Sequence, residues 1–413
     1  MWKTVKLSFA AVAVALMIVL AGVVGFALND GEGSSSGGAP VANIDVSDDG
    51  FSILEEIMQI LDQDFVVPTA VEYDILREGA IDGAIDALGD PHTEYISPEQ
   101  YELGIDIISG AFEGIGAQVD MDPVTGAIII VAPFRDTPAA EAGLVSGDAI
   151  LAVDGESTEG WSVRDAVRVI RGPQGEAVVL TIMRAGTDEV EDVTIVRSTI
   201  VIPTVFSDDI ENENGDAVSD LAYLRLEQFT DQSVRDMSTE LERIVDAGYD
   251  GLILDVRGNP GGGLDATVQI ADMFIDGGII LTQVDRDGQE TVFEAHAGGE
   301  AIDIPVVLLV NQFSASGSEV LAGALRDHNR ATLMGEQTFG KGSVNHVRPL
   351  SDGGALYVTI ARWLTPNGEL IEGIGIAPDV TVVFTEEDLE ALRDVQLFAA
   401  IDFLHDELAQ ALD

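Results

Sequence analysis

Two short runs constrain this chain more than any other feature: GLILDVRG at 251–258 and IPVVLLVN at 304–311. Each is apolar almost throughout, too short for a helix, and followed by a glycine- or serine-rich break and then an amphipathic stretch. A strand with one wet face alternates, whereas a strand apolar at nearly every position is covered on both faces. LAYLRLEQF (221–229) reads as another strand. VRDMSTELERIVDAG, LDATVQIADMFI and GSEVLAGALRDH read as helices that alternate with these strands. The pattern predicts a largely parallel sheet covered by helices, an α/β core over 199–384. It closes with a hairpin turning at Asp352-Gly353 and is followed by a helical segment over 385–413.

The rest of the chain divides around that core. Residues 51–104 form a helical region, with FSILEEIMQILDQDF and VEYDILREGAIDGAIDALG as its two helices. Over 105–198, short strands and two short helices describe a small α+β or barrel-like module. GEGSSSGGAP (31–40) is a flexible linker within 29–50. Before it, within 1–28, Leu7–Leu28 is uncharged and long enough to span a bilayer. Lys3 and Lys6 precede this run and acidic residues follow it, which puts the N-terminus in the cytoplasm and the rest outside. The favoured reading is a single-pass anchor in the cytoplasmic membrane. The rival is a cleaved signal peptide, with Gly25 and Ala27 as a small-x-small site and a secreted product.

Composition removes several classes of function. Acidic residues outnumber basic ones 73 to 20, for a formal charge of −53, so nucleic acid is excluded as a partner. The absence of cysteine excludes disulfides, thiolate metal sites and a Cys nucleophile. The histidines (92, 296, 328, 346 and 405) lack ligand spacing, and no metal or cofactor is expected.

Lysine survives only at Lys3, Lys6 and Lys341, the last between two glycines. Other cationic positions hold Arg, which cannot be deprotonated at reachable pH. GEQTFGKG (335–342) meets a phosphate-loop pattern, but Gly342 stands where a hydroxyl would bind magnesium, and strand-like sequence follows where a helix is required. A solvated loop residue is the bland reading. A neutral lysine can instead serve as general base to a serine. That requires its pKa to fall from about 10.4 to about 7 or 8, by burial against an acidic field. It predicts a dry site beneath the loop, lined by Phe339 and neighbouring strands. NQFSASGSEV (311–320) supplies Ser314, Ser316 and Ser318 at a strand-to-helix turn. Some of these serines are expected to cap the helix, with Glu319 as the reciprocal partner. NPGGG (259–263) offers exposed backbone N–H groups nearby. A Ser-His-Asp arrangement through His328 is a weaker alternative.

SASGSE (314–319), GEQTFGKGSV (335–344), DVRGNPGG (255–262), GIGIAPDV (373–380) and DPHTEYISPEQY (90–101) resemble, in order, the signatures of the C-terminal processing (tail-specific) peptidases, PDZ-containing Ser-Lys proteases. The segment 114–184 resembles their PDZ domain, and the resemblance covers nearly everything after about residue 50. It implies a crotonase-like α/β core with an inserted PDZ domain. It makes Ser316 the nucleophile and Lys341 the base, with oxyanion donors from Gly317 and the Gly261-Gly262 pair. It puts a carboxylate-binding loop at Gly114, Ile115, Gly116 and Ala117, with Arg171 as a coupling residue. The family usually has Gln where this chain has Asn345, which would orient Lys341. The function implied is an extracytoplasmic serine endopeptidase acting on unfolded or tail-exposed proteins. The alternative is a PDZ-bearing binding or scaffold protein with a weakened core. The terminal helices could form a seam between copies of the chain or simply cover the core.

Overall fold

The structure, a computed structural model, describes residues 52–412 apart from 99, 102–110, 123–124, 135, 188 and 202. The Leu7–Leu28 run and the linker lie outside the described residues. No helix among the described residues is long and apolar enough to cross a membrane.

The described residues open with helices α1 (Ser52–Asp64) and α2 (Tyr73–Asp86), which bury none of their residues. Strand β1 (Glu94–Ile96) follows. The inserted module then begins with β2 (Ala111–Gly114), β3 (Ala117–Met121), β4 (Ile128–Pro133) and the short helix α3 (Pro138–Glu141). It continues with β5 (Ala149–Val153), β6 (Glu156–Ser157), helix α4 (Val163–Ile170), β7 (Ala177–Met183), β8 (Val190–Val196) and β9 (Ser198–Val201). Its sheet runs β3-β4-β5-β7-β8, with β6 on β5, so β3 is an edge strand. Alternate residues such as Ile128 and Ile130, or Val178, Leu180 and Ile182, fill one core as the strand period of two requires. β2 pairs with β9, which brings the entry and exit of the module together.

The remainder is the α/β core. It contains β10 (Val205–Ser207), the two-residue strands β11 (Ile210–Glu211) and β12 (Ala217–Val218), β13 (Leu221–Leu226), α5 (Asp231–Ala247), β14 (Gly251–Asp255) and α6 (Leu264–Asp272). Next come β15 (Gly278–Asp285), β16 (Glu290–Ala295), β17 (Val306–Val310), α7 (Gly317–Asp327), β18 (Ala331–Gly335), β19 (Ser343–Pro349), β20 (Ala355–Leu364), β21 (Val380–Thr381), α8 (Glu386–Ala391) and α9 (Val395–Leu412). The main sheet has the order β10-β13-β14-β17-β18-β21, parallel from β13 onward.

Because these strands are added in one direction, right-handed crossovers place α5, α6 and α7 on one face. Leu252, Leu254 and Leu308 meet Met237, Ile270 and Leu321 there. Ile253, Val307 and Leu309 point the other way, onto Ala400, Ile401 and Leu404 of α9. The continuous apolar runs are therefore explained by two covered faces.

The C-terminal segment departs from a single helix. It breaks at Leu392, which is left-handed (φ 54°), and restarts at Val395. The break frees the Asp394 carboxylate for two bonds from the Arg257 guanidinium, each 2.8 Å, and for the α9 amide of Leu397 at 3.0 Å. The half-buried Arg257 also grips Asp255, at the end of β14. A second sheet has the order β1-β20-β15-β16, with β19 against β20. The loop that joins β18 to β19 connects it to the parallel sheet.

Candidate active site

Three adjacent parallel strands end side by side, and each releases a loop. β14 releases 256–263, β17 releases 311–316 and β18 releases 336–342. Crevices beyond the carboxyl ends of such strands are where open α/β sheets bind ligands.

The serine cluster resolves on hydrogen bonding alone. Ser314 Oγ donates to the Val256 carbonyl (2.8 Å) and Ser318 Oγ to the Asn259 carbonyl (2.9 Å), so both stitch the turn to the glycine loop. Ser316 Oγ, in a residue only 1% exposed, has no partner. Ser316 also has φ 53° and ψ −114°, a region that L side chains avoid and that surrounding structure must enforce. Gly261 lies directly against it, since a Cβ there would sit 2.7 Å from Ser316 Cβ.

Two backbone donors flank this hydroxyl. The N–H of Gly317 is at the first position of α7 and has no intrahelical acceptor. Gly262 forms a parallel bridge with Phe229, in which the Phe229 amide donates to the Gly261 carbonyl and the Gly263 amide to the Phe229 carbonyl. That geometry turns the Gly262 N–H away from Phe229. The Gly261 N–H is instead taken by Asn259 Oδ1 at 2.8 Å. Of the glycine pair, Gly262 is the one with an amide to offer.

Glu319 registers the lysine loop against the serine turn. It is fully buried, and its carboxylate accepts four hydrogen bonds. Thr338 Oγ1 and the Gly340 amide, each at 2.6 Å, donate to Oε1. The amides of Ser316 (2.9 Å) and Lys341 (2.8 Å) donate to Oε2. One oxygen thus holds the backbones of both candidate dyad residues. Burial pushes this carboxyl's pKa up, and the four donors resist that by stabilising the charge. The sequence identifies Glu319 as a helix cap, and local pattern cannot disclose the three partners from the distant loop.

Lys341 is 5% exposed, with its Nζ 5.5 Å from the centroid of the Tyr357 ring. Burial holds its pKa below the ordinary lysine value, against the opposing fields of Glu94, Glu372, Glu319 and Asp90. Gly342 is required beside it because a Cβ there would lie 2.3 Å from the Glu372 amide. Phe339, expected to line the dry pocket, is instead 59% exposed. Tyr357 of β20 provides the apolar surface. No hydrogen bond joins Lys341 Nζ to Ser316 Oγ here.

The remaining predicted residues fall in separate places. The Asn345 side chain donates to the His92 carbonyl (2.8 Å) and Thr359 Oγ1 (3.0 Å), and accepts from Ser343 Oγ (3.0 Å). It thereby ties β19 to β20 and to the segment before β1. His328 caps the far end of α7, with Nε2 at 2.8 Å from the Ile279 carbonyl, and has no part in the cluster. In the inserted module, Ile115 and Gly116 follow β2 and Ala117 opens β3. The Arg171 guanidinium stacks 4.7 Å from the Phe112 ring. Among the described residues, no group of acidic or histidine side chains could hold a metal.

Comparison with known proteins gives the family. Residues 220–382 match peptidase family S41, and residues 129–184 match a PDZ domain. The chain is 39% identical over 328 residues to the carboxyl-terminal-processing protease of Synechocystis sp., covering 79% of this chain and 76% of that one. It is 39% identical over 312 residues to the carboxy-terminal-processing protease of Bartonella bacilliformis, covering 74% and 69%. It is 36% identical over 334 residues to the carboxy-terminal processing protease CtpA of Bacillus subtilis, covering 81% and 69%. With a strand-to-helix serine, a buried lysine and a PDZ domain on one chain, this protein belongs to the carboxy-terminal-processing proteases of peptidase family S41, serine-type hydrolases of peptide bonds.

Proposed function

We propose that hydrolysis runs through a Ser316–Lys341 dyad, on protein chains whose C-termini the PDZ domain captures, at the outer face of the cytoplasmic membrane. The observation that carries the dyad is the contrast within the serine cluster: two hydroxyls are spent on backbone carbonyls and Ser316 Oγ is left unpaired. A buried hydroxyl without a partner is costly, and this one stands at a strained strand-to-helix turn against the glycine loop, which supports a chemical use.

In this reading, neutral Lys341 takes the proton of Ser316 Oγ as that oxygen attacks the scissile carbonyl. The amides of Gly317 and Gly262 receive the oxyanion, aided by the positive end of α7. Lys341 then gives the proton to the leaving amine, and water, deprotonated by Lys341, releases the acyl-enzyme. Substrate binding closes the Ser316–Lys341 separation, as catalytic hydrogen bonds commonly tighten only in the complex. The acidic partners around Lys341 oppose this role and burial favours it.

The edge strand β3, beside helix α4, suits addition of an extended peptide tail, with the Gly114–Ala117 turn at the carboxylate end. The anchor reading rests on Leu7–Leu28 and the charges that flank it. A scaffold role is disfavoured, because it gives no use to an unpaired serine beside a lysine of lowered proton affinity. The test is cleavage of a disordered reporter ending in apolar residues. Ser316→Ala and Lys341→Ala each abolish cleavage while remaining folded and unfolding cooperatively, and cleavage surviving in either removes the dyad.

A further inference from the structure

The block Asp90–Ile96 lies far from the dyad in sequence, but Asn345 of β19 bonds to its His92 carbonyl and its strand β1 joins β20. β1 pairs antiparallel with β20 in a register that sets Glu94 opposite Tyr357. Directly paired residues put their side chains on the same face of a sheet, with Cβ atoms about 4.5–5.5 Å apart. Tyr357 is the residue whose ring lies against Lys341 Nζ. The half-buried carboxylate therefore shares a face with the buried phenol, against which the buried lysine lies.

Glu94 is unusual among the acidic residues around this lysine. Glu319 is held by its four donors. Glu372 is 3.3 Å from both His92 Nε2 and Arg362 Nη1, and accepts from the Gly342 amide at 3.0 Å. Asp90 accepts from Thr93 Oγ1 at 2.7 Å and from the His92 amide at 3.2 Å. Glu94 alone has a buried oxygen, Oε1, without any hydrogen bond. Leaving a carboxylate oxygen buried and bare is costly unless a charge nearby stabilises it. Burial raises the Glu94 pKa and the Lys341 charge opposes that rise, while Glu94 heads the groups that raise the pKa of Lys341. His92 is itself shifted down by burial, so it adds little positive charge at neutral pH.

We propose that Glu94 is a positioning residue for Lys341: it holds the protonated amine over Tyr357 in the resting site and sets the pH at which the base becomes available. The proposal rests on Lys341 being the general base and names the group that governs it. It also gives the N-terminal block a role in chemistry, because β1 carries the counter-charge into the site.

The test is the pH profile of kcat/KM for reporter cleavage, whose acid limb reports the free-enzyme base. In Glu94→Gln the limb moves to lower pH, and cleavage rises several-fold at a pH on the wild-type limb. In Glu94→Asp, which withdraws the charge by one methylene, the limb moves the same way but less. Thermal unfolding of each variant identifies any that has lost its fold, and either one suffices to read the direction. A limb that stays in place or moves upward in the folded variants overturns the proposal. Ser316→Ala and Lys341→Ala are run alongside. Cleavage persisting in those two removes the dyad itself, which is a different failure from an unmoved limb.

Discussion

Replacing Glu319 by Gln tests the most connected group in the site. The carboxylate accepts from Thr338 Oγ1, Gly340, Ser316 and Lys341 at 2.6–2.9 Å, with no exposure to water. A carboxamide of the same shape must turn an NH2 toward one pair of these donors. The cheaper orientation faces Thr338, whose hydroxyl can reverse and accept, but it leaves the Gly340 N–H without a partner. An unsatisfied buried N–H costs about 1–3 kcal/mol, and the other bonds lose their charge assistance. The expected loss of stability is about 3 kcal/mol, read from urea unfolding. If Gly340 withdraws and Lys341 moves by ~1 Å from its position beside Ser316, the rate of reporter cleavage falls about 100-fold. Glu319→Asp keeps the charge and recovers part of both losses. A Glu319→Gln protein with wild-type rate and stability would refute the idea that this carboxylate registers the two loops.

Four further outcomes follow from the same contacts. Lys341→Met abolishes cleavage yet stabilises the fold by about 0.5–2 kcal/mol at neutral pH. Because the folded-state pKa of Lys341 lies below its unfolded value, the cost of burying the cation is fully present at low pH, so the gain shrinks as pH rises toward ~10.4, as urea melts across pH will show. Ser318→Ala removes one of two donors to the buried Asn259 carbonyl, which keeps the Ala315 amide, and costs about 0.5–1.5 kcal/mol, whereas Ser316→Ala removes a buried hydroxyl that has no partner and leaves urea stability at or above wild type. Gly262→Ala puts a Cβ 2.0 Å from the Phe229 carbonyl oxygen, so it costs several kcal/mol or prevents folding, measured by circular dichroism and urea titration. Asp394→Asn weakens the Arg257 clamp, which keeps Asp255 and Gln396, and destabilises by about 1–2 kcal/mol, with α9 the first element to lose amide-exchange protection.

Periodicity made much of this architecture legible. The continuous apolar runs of β14 and β17 require cover on both faces, and they have it. The alternation in β4 and β7 fits a one-sided core. Local pattern failed where a distant partner decided the structure. The 385–412 stretch has a helical pattern throughout, but Arg257 takes Asp394 and the helix breaks before it. Phe339 stands beside Lys341 in sequence yet faces solvent, while Tyr357 arrives from another strand to line the pocket.

The site was legible as residue types: a lone lysine between glycines and three serines at a turn. Its wiring was not. Which serine lacks a partner depends on carbonyls of Val256 and Asn259, and the counter-charge of the lysine arrives through the register of β1 on β20. Neither relation has a local signature.

The most direct test of the dyad is the location of covalent labelling by a fluorophosphonate probe, read by peptide mass spectrometry on the full-length protein. The structure predicts a single adduct on Ser316, formed in the wild type and lost in Lys341→Ala. An adduct on Ser314 or Ser318, or labelling of Ser316 that is undiminished without Lys341, would contradict the account.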